Sequence, residues 1–112
     1  MTGSADEPIV VDVPEESRFE LRLGDAVAGH VAYRRRTPGT TSLIHTEIAS
    51  GYEGRGLGSV LARGVLDRLR ADGEAVLPFC PFVRGWIERH PDYLDLVPPD
   101  RRADFDLPAA PG

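Results

Sequence analysis

The sequence contains no lysine and only one cysteine. Because all 13 basic residues are arginine, chemistry that needs a lysine side chain of the protein itself is excluded. Cys80 has no second cysteine with which to form an internal disulfide. No apolar run approaches the roughly 18 residues needed to cross a bilayer, and the short polar stretch from Met1 to Ala5 lacks the apolar segment of a secretory signal. We therefore expect a cytoplasmic protein whose thiol is reduced.

The composition bounds the size of the fold and the class of partner. With 112 residues, of which 41% are hydrophobic, the chain is long enough for one modest core and too short for two. The 18 acidic residues outnumber the 13 basic ones, and the formal net charge of -5 argues against binding nucleic acid through its phosphates. A basic small molecule or basic peptide is a more compatible partner. We expect one domain with no membrane or nucleic-acid partner and no metal site.

The first half of the chain has the two-residue period of half-buried strands. Turn residues at Gly24-Asp25 and from Thr37 to Thr40 separate the alternating stretches. This pattern predicts an antiparallel meander, with strands over Ile9–Val13, Phe19–Leu23, Val27–Tyr33 and Ser42–Ala49.

The period becomes helical from residue 57 onward, and the predicted helix ends near Asp72-Gly73. Glu74 to Cys80 then has the composition of a buried strand, and Pro81 suits the first position of a second helix. The apolar face of the first helix is predicted to carry Leu57, Val60, Leu61, Val65 and Leu69.

The last part of the chain is predicted to lose regular structure. The second helix should run through Trp86 to His90 and stop at Pro91, and Leu94 to Val97 is predicted as a last edge strand. From Pro98 onward prolines and charged residues dominate, so we expect a mostly disordered tail.

A glycine-rich turn, Glu53-Gly54-Arg55-Gly56-Leu57-Gly58, lies between a predicted strand and a predicted helix. Such a turn leaves backbone N–H groups unpaired and lets a ligand approach the main chain without meeting a Cβ atom, which suits a phosphate or pyrophosphate. The alternative is an ordinary flexible connection between strand and helix. Arg55 is equally compatible with a phosphate contact and with a solvated loop position.

The order of strand, glycine turn, helix, strand and short helix resembles the core of the GCN5-related N-acetyltransferase superfamily. The turn resembles its acyl-CoA pyrophosphate motif, R/Q-x-x-G-x-G/A: Gly56 and Gly58 match, and Glu53 replaces the first residue. Three further strings are similar to the small single-domain branch of the superfamily, over about residues 8 to 97: His45-Thr46-Glu47, Cys80-Pro81-Phe82-Val83 and His90-Pro91-Asp92-Tyr93. The resemblance implies an α/β (α+β) fold, a mixed and mostly antiparallel sheet with two helices, in a domain over 8–97, before a tail over 98–112.

The resemblance also implies acetyl-CoA or coenzyme A as cofactor and an unidentified small-molecule or peptide amine as acceptor. Self-acetylation on a lysine side chain is excluded. Between Phe19 and Tyr33 there is room only for a hairpin, whereas larger members of the superfamily place two helices after the first strand and shape the acceptor site with them. We therefore expect the acceptor side to be open in a monomer or closed by a second subunit in a homodimer. The implied cofactor-binding residues are Glu53, Gly54, Arg55, Gly56, Leu57, Gly58, Ser59, Ile48, Cys80 and Phe82.

Three residues are candidates for the chemistry. His45 and Glu47 are two apart on a strand and share a face, so either is a candidate base for the acceptor amine; the alternative is that they form the polar face of a strand. Cys80 is a candidate acetyl carrier or a small buried residue. We favour direct transfer with Glu47 as base. Phe82 and Trp86 are predicted to pack in the core or to cover the cofactor, and Tyr93 to pack near the sheet edge.

Two other functions remain open at this point. The first is a non-catalytic CoA-binding or CoA-sensing module that uses Cys80 for a reversible mixed disulfide. The second is an interaction domain that has kept the fold and lost the ligand.

Overall fold

The computed structural model describes residues 7–109. It contains five β-strands, two α-helices and three short 3-10 helices. No helix in this range is both long and apolar enough to cross a bilayer. The strands and α-helices are β1 (Ile9–Val13), β2 (Arg18–Leu23), β3 (Ala26–Arg34), β4 (Thr40–Ile48), α1 (Leu57–Ala71), β5 (Ala75–Pro78) and α2 (Pro81–Arg89), and the 3-10 helices are Pro14–Glu16, Pro91–Leu96 and Pro99–Phe105.

The five strands form one sheet in the order β1-β2-β3-β4-β5. The first four strands pair antiparallel through short turns, while β5 pairs parallel with β4. A parallel neighbour requires a crossover, and α1 supplies it between β4 and β5. The predicted meander and the predicted mixed sheet with two helices are therefore confirmed.

Helix α1 covers one face of the sheet, here called the inner face. The largest inner-face side chains of the strands, among them Phe19, Leu21 and Leu43, are fully buried. Val60 was predicted on the buried face, but it is 40% exposed, because it faces away from the sheet. The buried side chains of α1 are Leu57, Leu61, Ala62, Val65, Leu66 and Leu69.

The opposite face of the sheet, here called the outer face, is polar in its β2 part. The Glu20 carboxylate accepts bidentate hydrogen bonds from Arg18 and Arg22 on the same strand, at 2.7–3.0 Å. The hydrogen bonds from Arg22 and then Arg18 lower the pKa of Glu20 and outweigh its burial. A charged residue can therefore lie in mid-strand at 5% exposure without an unpaired charge.

Helix α2 begins and ends as the prolines predict. Pro81 lies at its first position, and Pro91 follows the C-terminal His90. Trp86 is 1% exposed and donates its indole N–H to Ser59 Oγ on α1 at 2.8 Å. The His90 ring stacks on Trp86 at a centroid distance of 3.8 Å and donates from Nδ1 to the Trp86 carbonyl. The packing role predicted for Trp86 is confirmed.

One predicted strand is wrong, and another is shorter than predicted. The expected edge strand at Leu94–Val97 is replaced by the 3-10 helix Pro91–Leu96, because the turn set by Pro91 directs Tyr93, Leu94 and Leu96 into the core. The strand predicted over Glu74–Cys80 is shorter, since its pairing with β4 covers only Ala75–Pro78.

The expected disorder from Pro98 onward is also corrected. The 3-10 helix Pro99–Phe105 packs on the domain, with Phe105 and Leu107 buried. Arg102 is 9% exposed and stabilises the segment, because its guanidinium donates hydrogen bonds to the carbonyls of Val97 at 2.9 Å and Ala109 at 2.5 Å. Two buried apolar side chains and the hydrogen bonds of Arg102 thus hold a charged, proline-rich stretch on the domain. Residues 110–112 of the predicted tail lie outside the described residues.

Candidate active site

Strands β4 and β5 separate part of the way along their length. Their pairing ends at Leu43 and Pro78, and the N–H of Cys80 donates to the Leu43 carbonyl at 2.9 Å just beyond it. From there β4 continues as far as Ile48, while the chain after β5 turns into α2. A gap therefore opens beside the second half of β4.

The backbone of β4 directs hydrogen-bonding groups into this gap. Ala49 donates its N–H to the Ala28 carbonyl of β3 at 2.7 Å. Because successive residues of a strand point their N–H groups to opposite sides, those of Thr46 and Ile48 point away from β3. One wall of the gap is thus a strand edge with free donors, and Ile48, a predicted cofactor contact, lies at its open end.

The glycine turn follows directly at that open end. Gly54 and Gly56 have φ values of 77° and 73°, a left-handed conformation that favours glycine. A Cβ atom at either position would meet no atom within 4 Å. Gly56 is the N-cap of α1, so the first N–H groups of the helix, from Leu57 on, are directed at the turn.

Glu53 is held by the turn itself. Its carboxylate accepts a hydrogen bond from the N–H of Gly51 at 2.9 Å. An acidic residue at the first motif position therefore stabilises the turn. Arg55 is exposed, and its guanidinium lies 5.4 Å from the centroid of the Tyr52 ring.

Gly58 has a different neighbour from the other turn glycines. A Cβ atom there would lie 2.9 Å from Cζ of Phe82, so the Phe82 ring packs directly against this glycine and would have to move to accept a larger residue. The Phe82 ring remains 40% exposed beside the turn. The Ser59 hydroxyl, another predicted contact, already accepts the indole N–H of Trp86.

His45 and Glu47 lie together on the outer face, as their spacing predicts. His45 Nε2 and Glu47 Oε1 are 3.4 Å apart, and both side chains are about 60% exposed (61% and 62%). His30 lies opposite Glu47 in the register of β3 and β4, with its ring 6.2 Å from that of His45. Burial, followed by the charge of Arg18, lowers the pKa of His30. The three side chains form a titratable cluster beside the gap.

Cys80 lies on the inner side of β4, away from this cluster. It is 3% exposed, and its Sγ is 3.0 Å from Oγ1 of Thr46. Thr46 was not predicted as a site residue, although its position between two outer-face residues places it on the inner face. The structure thus brings Cys80 to Thr46 on the inner face, while His45 and Glu47 lie on the outer face of the same strand.

Tyr93 has a packing role, but against helix α1 and Trp86 rather than near the sheet edge where it was predicted. It is 7% exposed and donates its hydroxyl to Asp67 at 2.8 Å, while Arg63 donates to the Tyr93 oxygen at 3.2 Å. Burial and the bond to Asp67 raise the pKa of Tyr93. Between residues 7 and 109, no group of three or more His, Cys, Asp or Glu residues is placed to hold a metal ion.

The comparisons with known proteins agree with this geometry. A family model described as GCN5-related N-acetyltransferase matches residues 18–96. The fold is similar to the NMR solution structure of a GCN5-like candidate N-acetyltransferase from Staphylococcus aureus, with a TM-score of 0.60 and 19% identity over 80% of this chain and 86% of that one. No curated protein matches the sequence. The chain belongs to the GCN5-related N-acetyltransferase family, whose members generally use acetyl-CoA.

Proposed function

We propose that this protein binds acetyl-CoA and transfers its acetyl group directly to an amine. The observation that carries the proposal is the continuity of two features: the gap beside β4 opens at Ile48, and the left-handed glycines of the turn follow within eight residues. An extended thioester with an anionic end fits such a path, with its arm along the strand and its phosphates at the start of α1.

The turn suits the phosphates for two reasons. The N–H groups at the start of α1 have no helical acceptors, and the positive end of the helix dipole favours an anion there. The open space beside Gly54 and Gly56 lets phosphate oxygens reach the backbone. The exposed guanidinium of Arg55 is free to add a charge-assisted hydrogen bond.

The chemistry needs little from the protein beyond positioning and proton transfer. The neutral acceptor nitrogen attacks the thioester carbonyl carbon, so that a C–N bond forms and the C–S bond breaks. The remaining extra proton of the nitrogen passes to the departing sulfur, directly or through water, and CoA leaves as the thiol. The N–H groups of Thr46 and Ile48 are directed to stabilise negative charge on the carbonyl oxygen. Glu47, on the outer side, takes the proton of the acceptor ammonium, directly or through water, and releases it to solvent.

Direct attack is favoured over an acetyl-cysteine intermediate because of where Cys80 lies. At 3% exposure and in contact with Thr46, its thiol is covered on the inner side of β4. An incoming acceptor from the outer face would have to pass the strand to reach an acetyl group on Cys80. The same burial opposes the rival function in which CoA disulfide reacts at this thiol.

The test measures acetyl-CoA binding by thermal shift and release of free CoA with a panel of amines. Glu47→Gln should lower turnover most at low pH, where deprotonated amine is scarce, and should leave acetyl-CoA affinity nearly unchanged. Glu88→Gln, an exposed carboxylate on α2, is the matched control. Cys80→Ser should keep most of the activity. A melting temperature that does not change with millimolar acetyl-CoA would refute the proposal. A Cys80→Ser variant that binds acetyl-CoA but does not turn over would replace direct transfer by a covalent route.

A further inference from the structure

A cavity of about 460 Å³ lies on the outer face, where β4 and β5 are still paired. Its walls combine apolar side chains from both strands with three guanidinium groups. These come from the end of β3, the following turn and the C-terminal 3-10 helix. The residues that matter are Ile44, Leu77, Phe79, Arg34, Arg36 and Arg101.

The cavity concentrates positive charge in a chain of net charge -5. Its lining contains no carboxylate. Arg101 pairs with Asp104 at 2.7 Å. Arg34 and Arg36 make no ion pair and no side-chain hydrogen bond with any residue from 7 to 109. Three neighbouring guanidinium groups with one carboxylate between them favour an added anion.

The cavity lies on the same face of β4 as Glu47, the candidate base, and a short distance away along the strand. Arg34 is the register partner of Ser42, which lines the cavity on β4. Ile44 is the next lining residue. The register between β3 and β4 shifts beside Ala32 and Tyr33, which leaves Ile44 as an extra residue in β4, so Glu47 lies on the same face although it follows by three residues. That separation is about 10 Å along a strand. A molecule with its anionic end in the cavity therefore extends along β4 to the mouth of the gap.

We propose that this cavity binds the carboxylate of the acyl acceptor, so that the acceptor is an amine carrying a carboxylate at the far end of a short apolar chain. This inference rests on the proposed acetyl transfer. The guanidinium groups of Arg34 and Arg36 bind the carboxylate in the bidentate geometry that arginine favours. The side chains of Ile44, Leu77 and Phe79 contact the hydrocarbon chain, and the amine reaches the gap beside Glu47.

The test compares 6-aminohexanoate with 6-aminohexanamide, which differ only in the charge at the far end. We expect kcat/KM with acetyl-CoA to be at least about tenfold higher for the carboxylate. The double variant Arg34→Gln/Arg36→Gln should lower kcat/KM for the carboxylate and so remove that preference. Arg84→Gln/Arg89→Gln on α2 changes the net charge equally and should keep the preference.

A binding measurement separates this inference from the proposed function. N-acetyl-6-aminohexanoate, which cannot react, should shift the Nε–H NMR signals of Arg34 and Arg36, and its amide should not. Equal rates for the two amines, with no such shifts, would overturn the inference while acetyl-CoA binding stands. Shifted arginine signals in a protein that does not bind acetyl-CoA would instead overturn the proposed function, and with it the acceptor role of the cavity.

Discussion

Two glycines flank α1 in nearly the same conformation, and they allow a controlled test of the phosphate site. Gly56 precedes the helix with φ of 73°, and Gly73 follows it with φ of 72°. A Cβ atom on either would meet no atom within 4 Å. Replacement by alanine therefore imposes the same left-handed strain at both positions, about 1–2 kcal/mol. Only the methyl group at Gly56 stands where the phosphates are proposed to bind.

The expected size of the effect follows from the chain length. At 112 residues the unfolding entropy is about 0.24 kcal/mol/K, so each kcal/mol lowers Tm by about 4 °C. Without ligand, both variants should melt about 4–8 °C below the original protein. Acetyl-CoA at a hundred times its Kd adds about 2.7 kcal/mol, or about 11 °C. A tenfold weaker Kd in Gly56→Ala reduces that gain to about 1.4 kcal/mol, or about 6 °C.

The assay is thermal unfolding of the three proteins with and without acetyl-CoA. Gly73→Ala should lose stability and keep the full ligand shift, whereas Gly56→Ala should lose stability and about half of the ligand shift. An equal ligand shift in the two variants would show that the phosphates do not contact the start of α1. A reduced shift in Gly73→Ala as well would show that the effect is general loss of stability.

Two further predictions concern stability. Burial and the hydrogen bond to Asp12 raise the pKa of Tyr33 to about 12. The tyrosine of the unfolded chain ionises first, near pH 10. The free energy of unfolding should therefore be unaffected below pH 10 and fall by up to about 2–3 kcal/mol as the pH rises to 12. Urea unfolding at several pH values should show a flatter profile for Tyr33→Phe, and an unchanged slope would contradict this. Gly64→Ala should lower the free energy of unfolding by about 1–3 kcal/mol, since its Cβ would clash with Val10. Gly85→Ala in α2 should leave that free energy unchanged or raise it by up to about 1 kcal/mol. Equal changes in the free energy of unfolding for the two variants would refute the packing argument.

Much of the fold could be predicted from local signals. The alternation in the first four strands, the helical period after residue 57 and the proline at position 81 each depend on neighbouring residues, and each feature is present in the structure. The same holds for the shared face of His45 and Glu47, since strand geometry alone determines it. Local chemistry also suffices for the glycine turn, because the backbone itself requires glycine at Gly56.

The errors have a common physical cause. Leu94 and Phe105 lie in segments whose composition is ambiguous or polar, and their structure depends on contacts with distant parts of the chain. Gly58 belongs to the motif, and the ring that packs against it is that of Phe82, 24 residues later. Composition and periodicity carry no information about such contacts.

The sequence by itself determined the strands, the helices, the turn and the family resemblance, because these follow from short-range geometry and side-chain type. Only the tertiary structure decided where β4 and β5 separate, that Thr46 meets Cys80 on the inner face, and that Arg34, Arg36 and Arg101 line one cavity. These arrangements depend on the register shift between β3 and β4, which leaves an extra residue in β4, and on the packing of the C-terminal segment. They join residues dozens of positions apart, and that proximity is a property of the folded chain.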